Sequence, residues 1–199
     1  MAAFKKGCEP VNFLTPLRRE EQLHCRRVSA ISKLLAEAAG ASAPEATAIA
    51  RSALFHDIGK SALPQRIFHK LEPLSPREQT LLRAHTTIGK ELLEGTETIL
   101  STASIVAYQH HEHLDGSGYW GLRGQEIHPH AKLIAVVNAF DSLTFRKASW
   151  ENVEVQRSLE QRAGTQLDVD TVHLLLSNLA RVLDAGHSVN AHSGKNTHL

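Results

Sequence analysis

The chain has 199 residues, enough for one domain with a sizeable core. Hydrophobic residues make up 42% and charged residues 22%, and a net charge of +1 gives no electrostatic reason to expect a nucleic-acid polymer or a membrane as partner. No apolar run is long enough to span a bilayer, Met1 to Lys6 lacks the apolar segment of a signal peptide, and Cys8 and Cys25 are too few to staple a fold, so a cytoplasmic location is expected.

Residues 1–16 read as an irregular segment punctuated by Gly7, Pro10 and Pro16. From Leu17 to Ala39 the spacing of Leu23, Val28, Ile31, Leu34, Leu35 and Ala38 predicts a helix, stopped by Gly40. Ser42-Ala43-Pro44-Glu45 is a capping box for a second helix reaching His56. Pro64 and Pro73 make residues 61–74 mostly loop, with one helical turn near Pro64 to His69. Ser75-Pro76-Arg77-Glu78 caps a third helix, which ends near Gly95. A fourth is expected from Glu97 to about His111. Gly116, Gly118, Gly121 and Gly124 then forbid a helix and predict a loop. Pro129 precedes an apolar helix from Ala131 to about Phe145, a further helix covers about Trp150 to Arg162, and Asp168 caps a last one over Val169 to about Leu183. Residues 186–199 are polar and read as a disordered tail. With no strand-period segment, the expected fold is all-α, one helical bundle over residues 17–185.

The chain centres on His56-Asp57-Ile58-Gly59-Lys60. An imidazole beside a carboxylate can hold a divalent cation, and the carboxylate can bridge to a second. Gly59 permits a turn, and Lys60 places a cation where a phosphate or a leaving oxygen would sit. Adjacent His and Asp are common, so the dipeptide alone proves little. The other histidines among the chain's 13 carry the argument. His24, with Glu20 one turn before it, lies on the first helix and His85 on the third, His110 and His111 end the fourth, Asn138 and Asp141 share the apolar helix, and a bundle can bring facing helices together at one depth. His69, His113, His128, His130, His173, His187, His192 and His198 are assigned no role, and Cys25 is read as packing.

In this order the motifs resemble HD-GYP domains: His24-Cys25-Arg26-Arg27-Val28-Ser29, His56 to Lys60, His85 with Ile88-Gly89, His110-His111-Glu112, Asp115-Gly116-Ser117-Gly118-Tyr119, Gly121-Leu122-Arg123-Gly124 with Ile127 and Pro129, and Gly164-Thr165-Gln166-Leu167-Asp168. The resemblance is collinear from about Leu17 to Leu183. It implies an all-α fold, a site of two or three divalent metals, iron or manganese, and hydrolysis of cyclic di-GMP to pGpG or GMP in second-messenger signalling. It assigns His24, His56 and Asp57 to one metal and His85, His110 and His111 to the second, with Asp57 bridging. Glu20 matches a carboxylate of three-metal members. By the same resemblance Lys60 would contact the scissile phosphate or help the leaving group, so Lys60 and Asp57 are the expected catalytic residues. Gly118, Tyr119, Arg146 and Lys147 are the expected substrate contacts, and the glycine-rich loop is an expected surface for a signalling-protein partner. Imidazole-rich ligation bridged by carboxylate suits iron, manganese or zinc better than magnesium.

Three departures stand out. Asn138 occupies the place of a metal-binding aspartate, with Asp141 matching a second, more structural one. Trp120 replaces the proline of the motif. The basic segment after the apolar helix is reduced to Arg146 and Lys147, and no attached sensory domain is expected. The alternatives to a cyclic di-GMP phosphodiesterase are a catalytically weak or inactive nucleotide-sensing or protein-docking module, and a phosphohydrolase for another nucleotide.

Overall fold

The computed structural model describes residues 14, 17–70, 72–94, 101–146 and 151–193. Among these residues the architecture is helical, as expected: α1 (Arg19–Ala38), α2 (Ala43–Phe55), α3 (Pro76–Leu93), α4 (Ser101–Gln109), α5 (Pro129–Asp141), α6 (Asn152–Arg162), α7 (Val169–Ser177) and α8 (Leu179–Ser193). Short 3-10 turns lie at Ile58–Ala62, Gln65–His69 and Gly124–Glu126, and a π-helical turn at Ser142–Arg146 continues α5. No helix among the described residues is long and apolar enough to cross a membrane.

The helix starts follow from local chemistry. Ser42 accepts from the Glu45 amide at the head of α2. At α3 the box is reciprocal: Ser75 accepts from the Glu78 amide, and the Glu78 carboxylate accepts from the Ser75 amide at 2.8 Å. Asp168 opens α7 by accepting from the Thr171 amide.

Two apolar clusters form the core. The larger joins Val28, Ile31 and Leu35 of α1 to the inner faces of α5, α6, α7 and α8, including Ile134, Phe140, Leu159, Leu175 and Val182. The smaller joins Leu14, Leu17, Cys25, Phe55, Ile58, Leu93, Ala103 and Ala107. Cys25 is therefore packing, as its sequence position suggests. His24 sits on α1 between residues of the two clusters, and the site forms at this seam.

Three expectations change. The polar C-terminal stretch is not a disordered tail through its whole length. Residues 179–193 form α8, and residues 194–199 lie outside the described set. Its few apolar residues conceal the reason: Val182 is buried, and Gly186 lets Phe145 approach so closely that a Cβ would lie 2.4 Å from the ring. The last helix therefore breaks at Asn178 into α7 and α8. The fourth helix is described only from Ser101, so its expected start at Glu97 lies outside the described residues, as do residues 1–13, 15 and 16.

Gly59 has a different task from the one expected. Its φ is not in the left-handed region. It is a glycine because the turn after α2 touches α3 directly: a Cβ at position 59 would lie 2.0 Å from the His85 carbonyl oxygen and 2.6 Å from the Gly89 nitrogen. Backbone atoms cannot rotate out of the way. Gly59→Ala should destabilise the protein by about 1–3 kcal/mol or more in urea unfolding. Gly89→Ala, whose Cβ would come no closer than 3.2 Å to any neighbour, the Ala107 methyl, should cost less.

Candidate metal centre

Four elements deliver five imidazoles to one place. His24 is on α1, His56 ends α2, His85 is on α3, and His110 and His111 follow α4. Ligand atoms of His24, His56 and Asp57 lie within 4.8 Å of one another, and so do those of Asp57, His85, His110 and His111. Asp57 belongs to both groups. Its Oδ2 lies 3.5 Å from His24 Nε2 and 3.3 Å from His56 Nε2. Its Oδ1 lies 3.3 Å from His85 Nε2 and 3.5 Å from His110 Nε2. Each carboxylate oxygen faces one histidine pair, the arrangement of a bridging ligand.

The ring tautomers follow from the outer contacts. His56 Nδ1 donates to the Ala53 carbonyl at 2.6 Å and His85 Nδ1 to the Leu82 carbonyl at 2.6 Å. His110 Nδ1 donates to the Ala107 carbonyl at 3.0 Å. His24 Nδ1 donates to Asp141 Oδ2 at 2.6 Å. Every inner Nε2 then carries a lone pair. Yet His24 Nε2 and His56 Nε2 stand 3.2 Å apart, and His85 Nε2 and His110 Nε2 stand 3.3 Å apart.

Two lone pairs facing each other need a proton or a cation between them. Burial opposes the proton: it holds His24 below its ordinary range despite Asp141, and lowers His110 to about 3. Burial, then the neighbouring His110 and His85, hold His111 well below. A cation fits. Two imidazoles on one tetrahedral ion at about 2.0–2.1 Å stand about 3.3 Å apart. Asp57 Oδ1 is buried without a hydrogen-bond partner, as an oxygen reserved for an ion would be. The residues fit a metal ion at each group.

One ammonium is shared by two buried carboxylates. Burial alone would raise the Asp57 carboxyl, but Lys60, and after it His56, hold it well below the ordinary carboxylate range. Lys60 Nζ lies 2.6 Å from Asp57 Oδ2 and 3.0 Å from Glu21 Oε2. Asp141 is spent on support. It takes Arg27 Nε at 2.6 Å and Nη2 at 2.9 Å as well as His24, so it orients a ligand instead of being one.

Glu20 is corrected. It is solvent-exposed, whereas Glu21 is buried and meets Lys60. Both lie within one turn of His24, so helical spacing alone could not choose between them. Asn138 is half-buried on α5, one turn before Asp141. Arg146 ends the π-helical turn, and Lys147 lies outside the described residues.

The glycine loop is pinned at several points. Glu112, a residue of the motif with no role expected, is buried and accepts from the backbone amides of Trp120 and Leu122, each at 2.9 Å. Gly118 presses on the backbone of residues 111–113, where a Cβ would lie 2.5 Å from Glu112 Cα. Tyr119 stacks on His111 with ring centres 4.6 Å apart. Trp120 is partly exposed, but its indole N–H donates to Thr86 at 2.9 Å and its ring stacks on Tyr108 at 5.7 Å. Leu114 and Asp115 donate to the Gln166 and Thr165 carbonyls, which ties this loop to the late turn.

The family model for the HD domain matches residues 14–170. The chain belongs to the HD-domain family. This HD domain is 34% identical to a cyclic di-GMP phosphodiesterase of Thermotoga maritima over 183 residues, 88% of this chain and 50% of that protein. It is 30% identical to 3'3'-cGAMP-specific phosphodiesterase 2 of Vibrio cholerae, over 80% of this chain and 32% of that one. The chain spans half or less of the length of these curated relatives. Among solved structures, it matches Bd1817, a HDG"Y"P protein from Bdellovibrio bacteriovorus, with a TM-score of 0.65 and 25% identity, over 79% of this chain and 51% of that one. The HD-GYP resemblance is borne out at this level.

Asp141→Asn should keep the fold, as the near-UV circular dichroism would show. It should also weaken metal affinity about 10–100-fold in a chelator competition, the usual cost of losing a ligand's supporting partner.

Proposed function

We propose that this HD domain is a metal-dependent phosphodiesterase whose substrate is a cyclic dinucleotide, cyclic di-GMP first, opened to pGpG or GMP. The observation that carries the reading is Asp57, whose two oxygens each face a histidine pair. His24, His56 and Asp57 would hold one ion, and Asp57, His85, His110 and His111 the other, with iron or manganese suited to this donor set. Divalent ions held there supply neutralisation of a phosphodiester and a water acidified at neutral pH.

The rest is done by the chain. Burial keeps His24, His110 and His111 neutral at pH 7, so they offer nitrogen lone pairs without adding charge. Hydrolysis joins water's oxygen to phosphorus and breaks the bond from phosphorus to the ribose oxygen, which leaves with a proton. Lys60 is the ammonium at the bridging carboxylate and would donate a hydrogen bond to that leaving oxygen. Glu21 holds Lys60 from the other side, fixing its Nζ between two carboxylates.

The test is purification, metal analysis, and turnover of cyclic di-GMP and 3'3'-cGAMP with manganese or ferrous iron added. The second nucleotide belongs in the panel because a relative is named for it. Release of pGpG or GMP is expected; no turnover of either nucleotide by metal-loaded protein would refute the proposal. Lys60→Ala should keep the metal and lower kcat roughly 100-fold. An unchanged kcat would return Lys60 to a purely structural place.

Asn138 supports a second reading, a module that binds nucleotide and cuts it weakly. Its amide brings no charge to the place where the resemblance has an aspartate. Asn138→Asp adds that charge at nearly constant volume. It should raise metal occupancy and increase cyclic di-GMP hydrolysis at limiting manganese, by mass spectrometry of the metal and by initial rates. More metal without more turnover would favour the binding module.

A further inference from the structure

We propose that Arg83 and Tyr119 form an anion subsite beside the metal centre, and that it takes the phosphodiester of a cyclic dinucleotide that is not being cut. The inference rests on the proposed phosphodiesterase reading and concerns the part of the substrate which that reading leaves unheld.

The geometry is a layered stack. The Tyr119 ring lies on His111 at 4.6 Å between centres and 29° between planes, with His85 approaching it edge-on at 6.3 Å. The Arg83 guanidinium carbon lies 5.2 Å from the centre of the same Tyr119 ring. The imidazole and the guanidinium thus both lie against the one phenol ring. Arg83 is two residues before His85 on α3, about 200° round the helix. His85 is buried and points into the bundle, while Arg83 is exposed and carries its head over Tyr119 on a long stem. The cation–π contact holds the guanidinium against the ring, and the N–H donors along its edge are its means of meeting an anion.

Charge decides what this edge is for. A cyclic dinucleotide carries two phosphodiesters, hence two negative charges. The centre with its ions can neutralise the one being cut. Lys60 is buried and set between Asp57 and Glu21, on the inner side of the site. The second phosphate, one ribose away in the ring, needs a cation at the surface next to the ligands. Arg83 stands there, against the Tyr119 ring that also stacks on the His111 imidazole. A planar guanidinium held on one face can meet two phosphate oxygens in parallel.

Three probes test this. Kinetics would compare cyclic di-GMP with linear GpG, which has two bases but one phosphodiester, and with bis(p-nitrophenyl) phosphate, which has one phosphodiester and no base. In Arg83→Ala, the ratio of kcat/KM for cyclic di-GMP to kcat/KM for either single-phosphodiester substrate should fall about tenfold or more, through KM. Calorimetric binding of cyclic di-GMP in EDTA, where nothing is cut, should weaken similarly and become less sensitive to salt. Arg83→Lys keeps the charge without the fork and should recover only part of the loss. An unchanged ratio, or equal losses on cyclic di-GMP and bis(p-nitrophenyl) phosphate, would overturn the subsite. Equal losses on cyclic di-GMP and GpG, with the baseless substrate spared, would assign Arg83 to a base and overturn it too. If the parent protein cuts bis(p-nitrophenyl) phosphate but neither cuts nor binds the cyclic dinucleotide, the substrate reading has failed, and the subsite with it. If the parent cuts cyclic di-GMP and Arg83→Ala leaves the ratio intact, only the subsite has failed.

Discussion

The centre depends on where four Nδ1 protons go. Three are given to carbonyls of the same helices, from Ala53, Leu82 and Ala107, and one to Asp141. These hydrogen bonds orient the rings and force the opposite nitrogens, lone pair outward, into one dry seam between the two apolar clusters. A buried acceptor without a donor costs about 1–3 kcal/mol. The seam gathers four such nitrogens and Asp57 Oδ1. A fold that accepts this crowding is built around an electrophile, and the supporting contacts define its place as firmly as the ligands themselves.

Much of this was legible in the sequence because helices convert spacing into direction. The His56-Asp57 pair, the histidines on separate helices and the capping boxes are local signals, and the centre assembles from them. What the sequence hid was non-local. Glu20 and Glu21 are both within a turn of His24, and only the roll of α1 against α2 and α3 buries the second. Gly59 reads as turn chemistry, whereas its reason is the carbonyl of His85 on another helix. Residues 186–193 look like a polar tail because the contact they make is through a missing side chain, Gly186, against Phe145. Glu112 looks like one more surface acid, and its purpose appears only when the loop folds its amides back onto it.

Arg27 shows how far the support extends. It is buried, forks onto Asp141, lies 5.0 Å from the centre of the Phe145 ring, and reaches Asn190 of α8 at 3.0 Å. Through Asp141 the same guanidinium steadies His24. The last helix of the described chain is thus three hydrogen bonds from the His24 imidazole, and the two groups of candidate ligands are supported differently. His24 relies on side chains gathered from α1, α5 and α8, while His56, His85 and His110 rely on the carbonyls of their own helices.

The contact between Gly59 and α3 acts as a gauge block. On one side of it stand Asp57 and Lys60, on the other His85, and the spacer between them is main chain against main chain. Side chains can lean by an ångström at little cost; two backbones in contact cannot be pressed closer. The width of the cage is therefore set by the covalent skeleton instead of by rotamers. On the proposed reading, such a cage would favour cations with nitrogen bonds near 2 Å over those that need a wider oxygen shell.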